Sequence, residues 1–282
     1  MSTSNTDITP TDPMCPPNFR INRQAGRTVY LRNDVTDEQL ETLLTHPGEV
    51  LKTSPKAEVR RVGHWVVKES RAGAAIKAVR HTLLRERYRR PWLAAHHLRA
   101  HGVRVPEPLA FVEKERLGLV SGTVFVFQYL AGQVNSEEFL LSLLKQGAGA
   151  DAIGGFLSRL ADGVNSIEAA GAHHTDLSGK NIFTREGDRF YFIDLDAVSL
   201  DTAIDEEARL KNHVQLYDSF CDALNDSLMV PFIEKMLPAG FDMRVWMPRV
   251  RKAQQERRVA IEAKWEKQGI RPRRIRDELP GA

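Results

Sequence analysis

An ordered series of four polar residues in the second half of the chain constrains its fold more than any other feature. His174, Asp176 and Asn181 follow one another closely, and Asp194 comes thirteen residues after Asn181. Two short segments with strand character join Asn181 to Asp194. The series is preceded by apolar residues spaced along one helical face, at positions 153, 156, 157, 160, 164 and 167. This order predicts a long helix, a polar loop and a β-hairpin that brings Asn181 and Asp194 together.

These residue types suit the transfer of a phosphoryl group. Asn181 and Asp194 would be the metal-binding residues, because Mg²⁺ prefers hard oxygen ligands. Asp176 would be the catalytic residue that orients an acceptor hydroxyl and takes its proton. Each Asp taken alone is more typical of a turn or a helix cap, whereas the ordered set favours the catalytic interpretation.

The first half of the chain has the pattern of a β-sheet interrupted by one helix. A short strand is predicted at 27–32, and a basic helix at 77–101 ends before Gly102. Five segments rich in Val or aromatic residues are expected to form the sheet: 48–53, 58–62, 64–69, 109–113 and 123–129.

The second half has a mostly helical pattern. A helix is predicted to begin at Asn135, because Glu138 three residues later completes a capping-box-like pair. Further helices are expected at 206–221 and 241–268, and the two strand segments of the hairpin are 181–184 and 189–195.

The polar loop resembles the catalytic loop of protein kinases. That loop has the pattern H-R-D-L-x-x-x-N, and this chain matches it from His174 to Asn181 with Thr175 in place of the Arg. Lys68 ends the segment Trp65-Val66-Val67-Lys68, which resembles the kinase V-A-I-K segment whose Lys holds the α- and β-phosphates of ATP. A lone Lys near a strand end is commonly a surface residue, but the helix and two strands that follow favour phosphate binding.

A glycine-rich phosphate loop has no counterpart in the sequence. The turn at 53–57 would take its place and contact the phosphates through backbone N–H groups, Ser54 and Lys56. Lys56 could equally face water. Glu86 is the only acidic residue in the basic helix, and its pairing with Lys68 stays open. Asp196 would cap the following turn or assist the metal.

The chain also resembles one particular kinase family, the bacterial lipopolysaccharide core-sugar kinases that act on Kdo and heptose. The resemblance runs from about residue 50 to 216 and is carried by Thr53–Ala57, Val66–Lys68, Trp92–His97, Gly102–Pro106, His174-x-Asp176 and Ile193–Asp196. It implies transfer of phosphate from ATP, with Mg²⁺, to a sugar hydroxyl on a lipid-linked saccharide at the cytoplasmic face of the inner membrane. By this resemblance Lys68, Asp176, Asn181 and Asp194 form the site.

These observations predict an α+β fold class with a bilobal, protein-kinase-like arrangement. Residues 1–19 are expected to be a disordered tail. Residues 20–130 would form an N-terminal lobe, with an antiparallel sheet and one helix, that binds the nucleotide. Residues 131–282 would form a mostly helical C-terminal lobe that carries the catalytic loop and the metal site.

The composition of the chain indicates where the protein is located in the cell and which partners it could bind. Two distant cysteines and the lack of a signal sequence indicate a cytoplasmic protein. The basic segments 71–104 and 249–276 would contact a phosphorylated acceptor, rest on the anionic face of the inner membrane, or simply face solvent. Nucleic acid is not an expected partner, because few aromatic residues are interleaved with the Lys and Arg residues.

Three interpretations of function remain open at this level. The first is an ATP-dependent kinase with a glycolipid or sugar acceptor, favoured because no A-P-E sequence follows Asp194 and no long peptide-binding segment is present. The second is a soluble small-molecule kinase of the aminoglycoside or choline type. The third is a catalytically silent pseudokinase that serves as a scaffold.

Overall fold

The computed structural model describes residues 13–55, 57–71, 85–200, 204–269 and 274–279. The chain divides into two compact units, one made of 1–97 with 106–131 and the other of 98–105 with 132–282. Within the described ranges, no helix is both long enough and apolar enough to cross a membrane.

The segment 98–105 belongs to the second unit, whereas the sequence pattern placed it in the first lobe. Val103 and Val105 are buried, at 3% and 0% exposure. The carbonyl of Arg104 accepts a hydrogen bond of 3.0 Å from the N–H of Phe192, far along the chain. Packing of this segment is therefore decided by long-range contacts that a local pattern does not contain.

The first unit is built on a seven-stranded sheet in which all neighbouring strands are antiparallel. The spatial order is β1-β2-β6-β7-β5-β4-β3. The strands are β1 (Phe19–Gln24), β2 (Arg27–Arg32), β3 (Glu49–Thr53), β4 (Ala57–Val62), β5 (Trp65–Arg71), β6 (Pro108–Arg116) and β7 (Leu119–Gln128). The prediction of an antiparallel sheet is confirmed, but the sheet has seven strands because β1 and β2 join the five expected ones.

One face of this sheet is covered by a helix that the sequence analysis did not predict, α1 (Asp37–Thr45). The Thr36 side chain and Gln39 form a capping box at its start. At its end, the buried guanidinium of Arg60 donates to the carbonyls of Leu44 and His46 at 2.6 and 3.0 Å. Arg60 thus satisfies carbonyls that the end of a helix leaves unpaired. The prediction of a single helix in this lobe was therefore wrong.

The opposite face packs against α2 (Arg85–Ala100), the described part of the predicted basic helix. Trp92 is fully buried and lies 5.9 and 6.1 Å, centroid to centroid, from Phe111 and Phe125. Its indole Nε1 donates to the carbonyl of Met14 at 2.9 Å. Met14 is itself buried at 4% exposure, so the folded unit begins before residue 19, where the tail was expected to end. Residues 1–12 lie outside the described residues.

The second unit is mostly helical, as predicted. Its helices are α3 (Ser136–Lys145), α4 (Ala150–Ala169), α5 (Glu206–Phe220), α6 (Asp226–Lys235) and α7 (Met243–Lys267). The Asn135 side chain caps α3 by accepting from the N–H of Glu138 at 3.0 Å, as its spacing predicted. The predicted apolar face of α4 is buried at Ile153, Phe156, Leu157, Leu160 and Ile167.

Five short strands complete the second unit. They are β8 (Val134–Asn135), β9 (Ala172–His174), β10 (Ile182–Thr184), β11 (Tyr191–Phe192) and β12 (Val198–Leu200). β10 pairs with both β8 and β11, and β9 pairs with β12, in each case antiparallel. The α+β class with an N-terminal antiparallel sheet and a mostly helical second half is therefore confirmed.

Candidate active site

The polar loop predicted from the sequence connects β9 to β10. It runs from His174, the last residue of β9, through a 3-10 turn at Gly179–Asn181. The β10–β11 hairpin then returns the chain, and the N–H of Ile193 donates to the carbonyl of Asn181 at 3.0 Å. This bond places Asn181 beside the residue that precedes Asp194, so the predicted hairpin does bring the two candidate metal ligands together.

His174 ties the two sides of the site to each other. It is 1% exposed, its Nε2 lies 2.9 Å from the carbonyl oxygen of Ile193, and its Nδ1 accepts the N–H of Asp176 at 3.2 Å. Since Nδ1 is the acceptor, the proton sits on Nε2 and the ring is neutral. Burial lowers the pKa of His174, which favours this neutral form. His174 therefore positions Asp176 relative to Asp194.

The backbone of Asp194 has a left-handed conformation, with φ 57° and ψ 52°. A residue with a Cβ adopts this region at a cost on the order of 1 kcal/mol. The N–H of Ile193 bonds to the Asn181 carbonyl, and the carbonyl of Ile193 bonds to His174 Nε2. These two hydrogen bonds, with one of 3.0 Å from the N–H of Ala197 to the carbonyl of Asp194, hold the conformation. Strain that the surroundings maintain in this way is typical of functional sites.

The carboxylate of Asp176 is exposed but held on both sides. Gln215 Nε2 donates to Oδ1 at 3.3 Å, and Asn181 Nδ2 lies 3.3 Å from Oδ2. Asn181 Nδ2 also donates to the backbone carbonyl of Asp176 at 2.8 Å. The carboxylate is therefore oriented by two amides while it stays accessible to a substrate.

Gln215 was not predicted as a functional residue. It lies on α5, is 5% exposed, and its Oε1 accepts the N–H of Leu177 at 2.8 Å. This second bond fixes the amide so that Nε2 faces Asp176. The sequence gives no signal for this contact, because Gln215 follows Asp176 by almost forty residues and looks like any polar helix residue.

Replacing Gln215 by Ala should lower the maximal rate of phosphate transfer by about tenfold, roughly the value of one lost hydrogen bond. The reason is that Asp176 loses one of its two orienting amides. The KM for ATP should be unchanged, and steady-state kinetics would measure both. Asn165→Ala is the matched control, since the Asn165 amide bonds the Lys235 carbonyl instead and the rate should stay within twofold of wild type. A Gln215→Ala variant with the wild-type rate would contradict the positioning role.

The predicted phosphate-binding residues lie in the first unit. Lys68 is half-buried on β5, opposite Val59 on one side and Phe125 on the other, so it shares the sheet face of Phe125. Ser54 closes the turn between β3 and β4: its Oγ accepts the N–H of Ala57 at 3.1 Å, and its own N–H donates to the Ala57 carbonyl at 2.8 Å. Lys56, the third predicted residue, lies outside the described residues.

Two acidic residues near α2 differ sharply in environment. The side chain of Glu86 is 82% exposed and lies 3.9 Å from Arg89. Glu113 on β6 is 0% exposed. Its carboxylate oxygens lie 2.7 Å from a guanidinium nitrogen of Arg85 and 2.8 Å from one of Arg89. Glu86 stands out in the sequence as the only acidic residue of the basic helix, whereas Glu113 does not, since an isolated acidic residue in a strand gives no sign of burial.

The donor set of the second unit fits a magnesium ion that is shared with phosphate groups. Among the described residues, no group of three or more His, Cys, Asp and Glu side chains could hold a metal by itself. Mg²⁺ commonly takes only one or two protein ligands and fills its shell with phosphate oxygens and water. Asn181 turns its Nδ2 toward Asp176, which leaves its Oδ1 available as a ligand oxygen.

The sequence matches the model of a known protein family. The model of the lipopolysaccharide kinase (Kdo/WaaP) family matches residues 40–235, well over half of the chain. The chain belongs to the lipopolysaccharide kinase family. No curated protein matches its sequence. The family resemblance predicted from the loop and strand motifs is therefore confirmed.

A solved structure supports the fold of this lipopolysaccharide kinase. WaaP in complex with acyl carrier protein superposes with a TM-score of 0.60 at 18% identity, over 77% of this chain and 91% of that one. The crystal structure of WbdD gives a TM-score of 0.46 at 15% identity, over 72% of this chain and 49% of WbdD. At these identities the likeness to WaaP supports the fold alone.

Proposed function

We propose that this lipopolysaccharide kinase transfers the γ-phosphate of ATP to a sugar hydroxyl of the lipopolysaccharide inner core, on Kdo or heptose. The observation that carries the proposal is the Asp176 carboxylate, held by Gln215 and Asn181 next to the Asn181–Asp194 pair. A general base beside two candidate magnesium ligands is an arrangement that suits phosphoryl transfer.

Each residue has a role in this proposal. Asp176 orients the acceptor hydroxyl and takes its proton as the sugar oxygen bonds to the γ-phosphorus and the bond to ADP breaks. Asn181 and Asp194 would hold Mg²⁺, which when bound neutralises charge on the β- and γ-phosphates. Lys68 would hold phosphate oxygens, together with the side chains of Ser54 and Lys56 in the turn between β3 and β4.

The proposed partners are ATP and a glycolipid or sugar acceptor. The acceptor is attached to lipid, so we place the enzyme in the cytoplasm, in peripheral contact with the anionic face of the inner membrane. Basic residues on α2 and α7 support this contact, because anionic lipid attracts clustered Lys and Arg. Retention on anionic vesicles rather than on oligonucleotides would separate membrane binding from nucleic-acid binding.

Phosphate transfer from ATP to a dephosphorylated lipopolysaccharide core should require both the acceptor and Mg²⁺. Chelation of the metal should remove the activity, and re-addition of Mg²⁺ should restore it. Without the metal, the negative charge on the β- and γ-phosphates of ATP is not neutralised. The assay follows labelled phosphate into the glycolipid. Transfer to free aminoglycosides or choline instead would favour a soluble small-molecule kinase. ATP binding without transfer to any acceptor would favour a pseudokinase, and no ATP binding would refute the proposal.

A further inference from the structure

The tip of the β6–β7 hairpin has an unusual backbone. Its closing pair is Arg116 and Leu119, so Leu117 and Gly118 are the two central residues of the turn. Both have positive φ, at 52° and 74°, as in a type I′ turn, where Asn or Asp usually precedes Gly. Among the residues that the structure describes, the only other non-glycine residue with positive φ is Asp194, in the candidate active site. The proposed chemistry assigns no role to Leu117.

Packing within the protein does not account for Leu117. It is 94% exposed, more than any other large apolar residue that the structure describes. A bulky residue in the left-handed region is strained, because its Cβ crowds the following carbonyl oxygen. The folded chain therefore accepts strain at this position and gains no burial in return. A residue that conflicts with its local structure in this way points to a use of the side chain outside the folded chain.

Two exposed arginines lie close to the tip. Arg116 directly precedes Leu117 and is exposed. The β1–β2 turn lies alongside the hairpin, because the carbonyl of Gly26 accepts the N–H of Glu115 at 2.7 Å. Arg23, at the β1 side of that turn, is exposed as well. The single apolar side chain at the tip is thus accompanied by positive charge on two adjoining turns.

The carboxylates nearby are engaged by other cations. Glu115 lies 3.2 Å from Arg85, in the first described turn of α2. Glu69 on β5 lies 2.9 Å from Lys114 of the hairpin. These two pairs offset each other's charge, so Arg116 and Arg23 give this end of the sheet its positive charge.

We infer that the tip of the β6–β7 hairpin inserts Leu117 into an anionic lipid bilayer, while Arg116 and Arg23 contact the lipid phosphates. A bilayer surface binds an apolar side chain beside cations, since burial of the side chain and attraction to anionic lipid add together. A stable protein interface instead buries about 800 Å² on each partner, far more than one side chain at a turn supplies. The inference rests on the proposed function, which it deepens by naming an element that contacts the membrane.

Flotation of the full chain with lipid vesicles, without ATP or acceptor, tests the tip separately from catalysis. One set of vesicles is phosphatidylcholine mixed with phosphatidylglycerol, which makes it anionic, and the other is phosphatidylcholine alone. The wild-type protein should float with the anionic vesicles and bind the neutral ones more weakly, because the arginines then lose their electrostatic attraction. A wild-type protein that floats with neither set would overturn the inference.

Leu117→Asn should lower the partition coefficient into anionic vesicles by about tenfold, the value of one buried leucine side chain. The same variant should unfold at an equal or higher temperature, because Asn adopts positive φ more readily than Leu. Since the two readouts move in opposite directions, loss of the fold cannot explain weaker binding. Leu51→Asn is the matched control: Leu51 is 44% exposed on the edge strand β3, and its partition coefficient should stay within twofold of wild type.

Two further variants separate insertion from charge. Arg116→Gln should lower partitioning into anionic vesicles by about fivefold and leave binding to neutral vesicles unchanged. Leu117→Trp should keep its binding, and the added fluorescence should shift to shorter wavelength with anionic vesicles because the ring leaves water. Added fluorescence that kept its wavelength on bound vesicles would show that the tip stays in water and would overturn the inference.

Equal partitioning of wild type and Leu117→Asn would also overturn the inference. If that variant kept its vesicle binding but lost self-association in sedimentation velocity, the tip would be a contact between copies of this chain and not a membrane element. Phosphate transfer to a lipid-free core oligosaccharide separates the inference from the proposed function. Transfer without vesicle binding would refute the membrane role of the tip alone. Vesicle binding that depends on Leu117, without transfer to any acceptor, would refute the proposed function and leave the membrane role standing.

Discussion

Replacing Asp176 by Asn should lower the rate of phosphate transfer at saturating ATP and acceptor by about 10³-fold, within the range measured for general bases. An amide cannot take the proton of the acceptor hydroxyl. The KM for ATP should change little, because Asp176 is assigned to the acceptor and not to the nucleotide. The fold should be retained, since the carboxylate is exposed and Gln215 Nε2 can still donate to an oxygen at the Oδ1 position.

Asp188→Asn is the matched control for this experiment. Asp188 is an exposed acidic residue of the β10–β11 hairpin whose carboxylate lies 3.8 Å from Arg189. Its replacement should leave the transfer rate within twofold of wild type. If Asp176→Asn kept more than about a tenth of the wild-type rate, Asp176 would not be the base, and its two amide contacts would have only a structural role.

The parts of the site that could be predicted from the sequence are those set by short-range spacing. The order of His174, Asp176 and Asn181 depends on one loop, and a two-strand hairpin leads from that loop to Asp194. A loop and a hairpin are local structures, so their spacing is visible in the sequence. The structure confirms the hairpin, while the roles of these residues stay predictions.

The contacts that orient the site could not be predicted in this way. Gln215 reaches Asp176 only because α5 packs beneath the loop, and His174 bonds Ile193 only because the hairpin closes over it. Both contacts join residues that are distant in the chain, and no spacing of Gln or His residues in a sequence predicts such contacts. Long-range polar contacts of this kind follow from tertiary packing alone.

Some of the fold went unpredicted although the signal was present. Thr36 and Gln39 have capping-box spacing, and Leu40, Leu43 and Leu44 lie on one helical face. α1 is nine residues long, which is short for a periodicity argument, and this explains why it was missed. β1 is different, since polar residues such as Arg20 and Asn22 hide its strand character.

Replacing Glu113 by Gln should destabilise the first unit by about 3 kcal/mol, the largest stability effect we expect from a single side chain. Glu113 is fully buried on β6 and accepts from Arg85 Nη2 at 2.7 Å and Arg89 Nε at 2.8 Å. The neutral amide keeps the shape of the carboxylate, but its NH2 group replaces one acceptor oxygen and faces a guanidinium group that is itself a donor. Arg89, whose side chain is only 17% exposed, would then keep a poorly compensated charge between α2 and the sheet. Chemical denaturation followed by circular dichroism measures the change.

Glu115→Gln provides the control on the same strand face. Glu115 is 33% exposed and its carboxylate lies 3.2 Å from Arg85, so its loss should cost less than about 1 kcal/mol, as for other exposed ion pairs. Equal destabilisation by the two variants would show that Glu113 contributes no more than a surface charge, contrary to the role assigned to the buried pair.

The effect of Glu113 should also depend on pH in a defined direction. Burial raises the pKa of Glu113, but the hydrogen bonds and charges of Arg89 and Arg85 outweigh it and hold the pKa below its ordinary value of 4.5. The folded protein therefore binds this proton less readily than the unfolded chain. The stabilisation is present in full above pH 4.5 and is lost as the pH falls through the lowered pKa. The difference in unfolding free energy between wild type and Glu113→Gln should narrow over that acid range, because protonation gives wild type the same neutral group. A difference that stayed constant into the acid range would show that the charge of the Glu113 carboxylate is not what stabilises the unit.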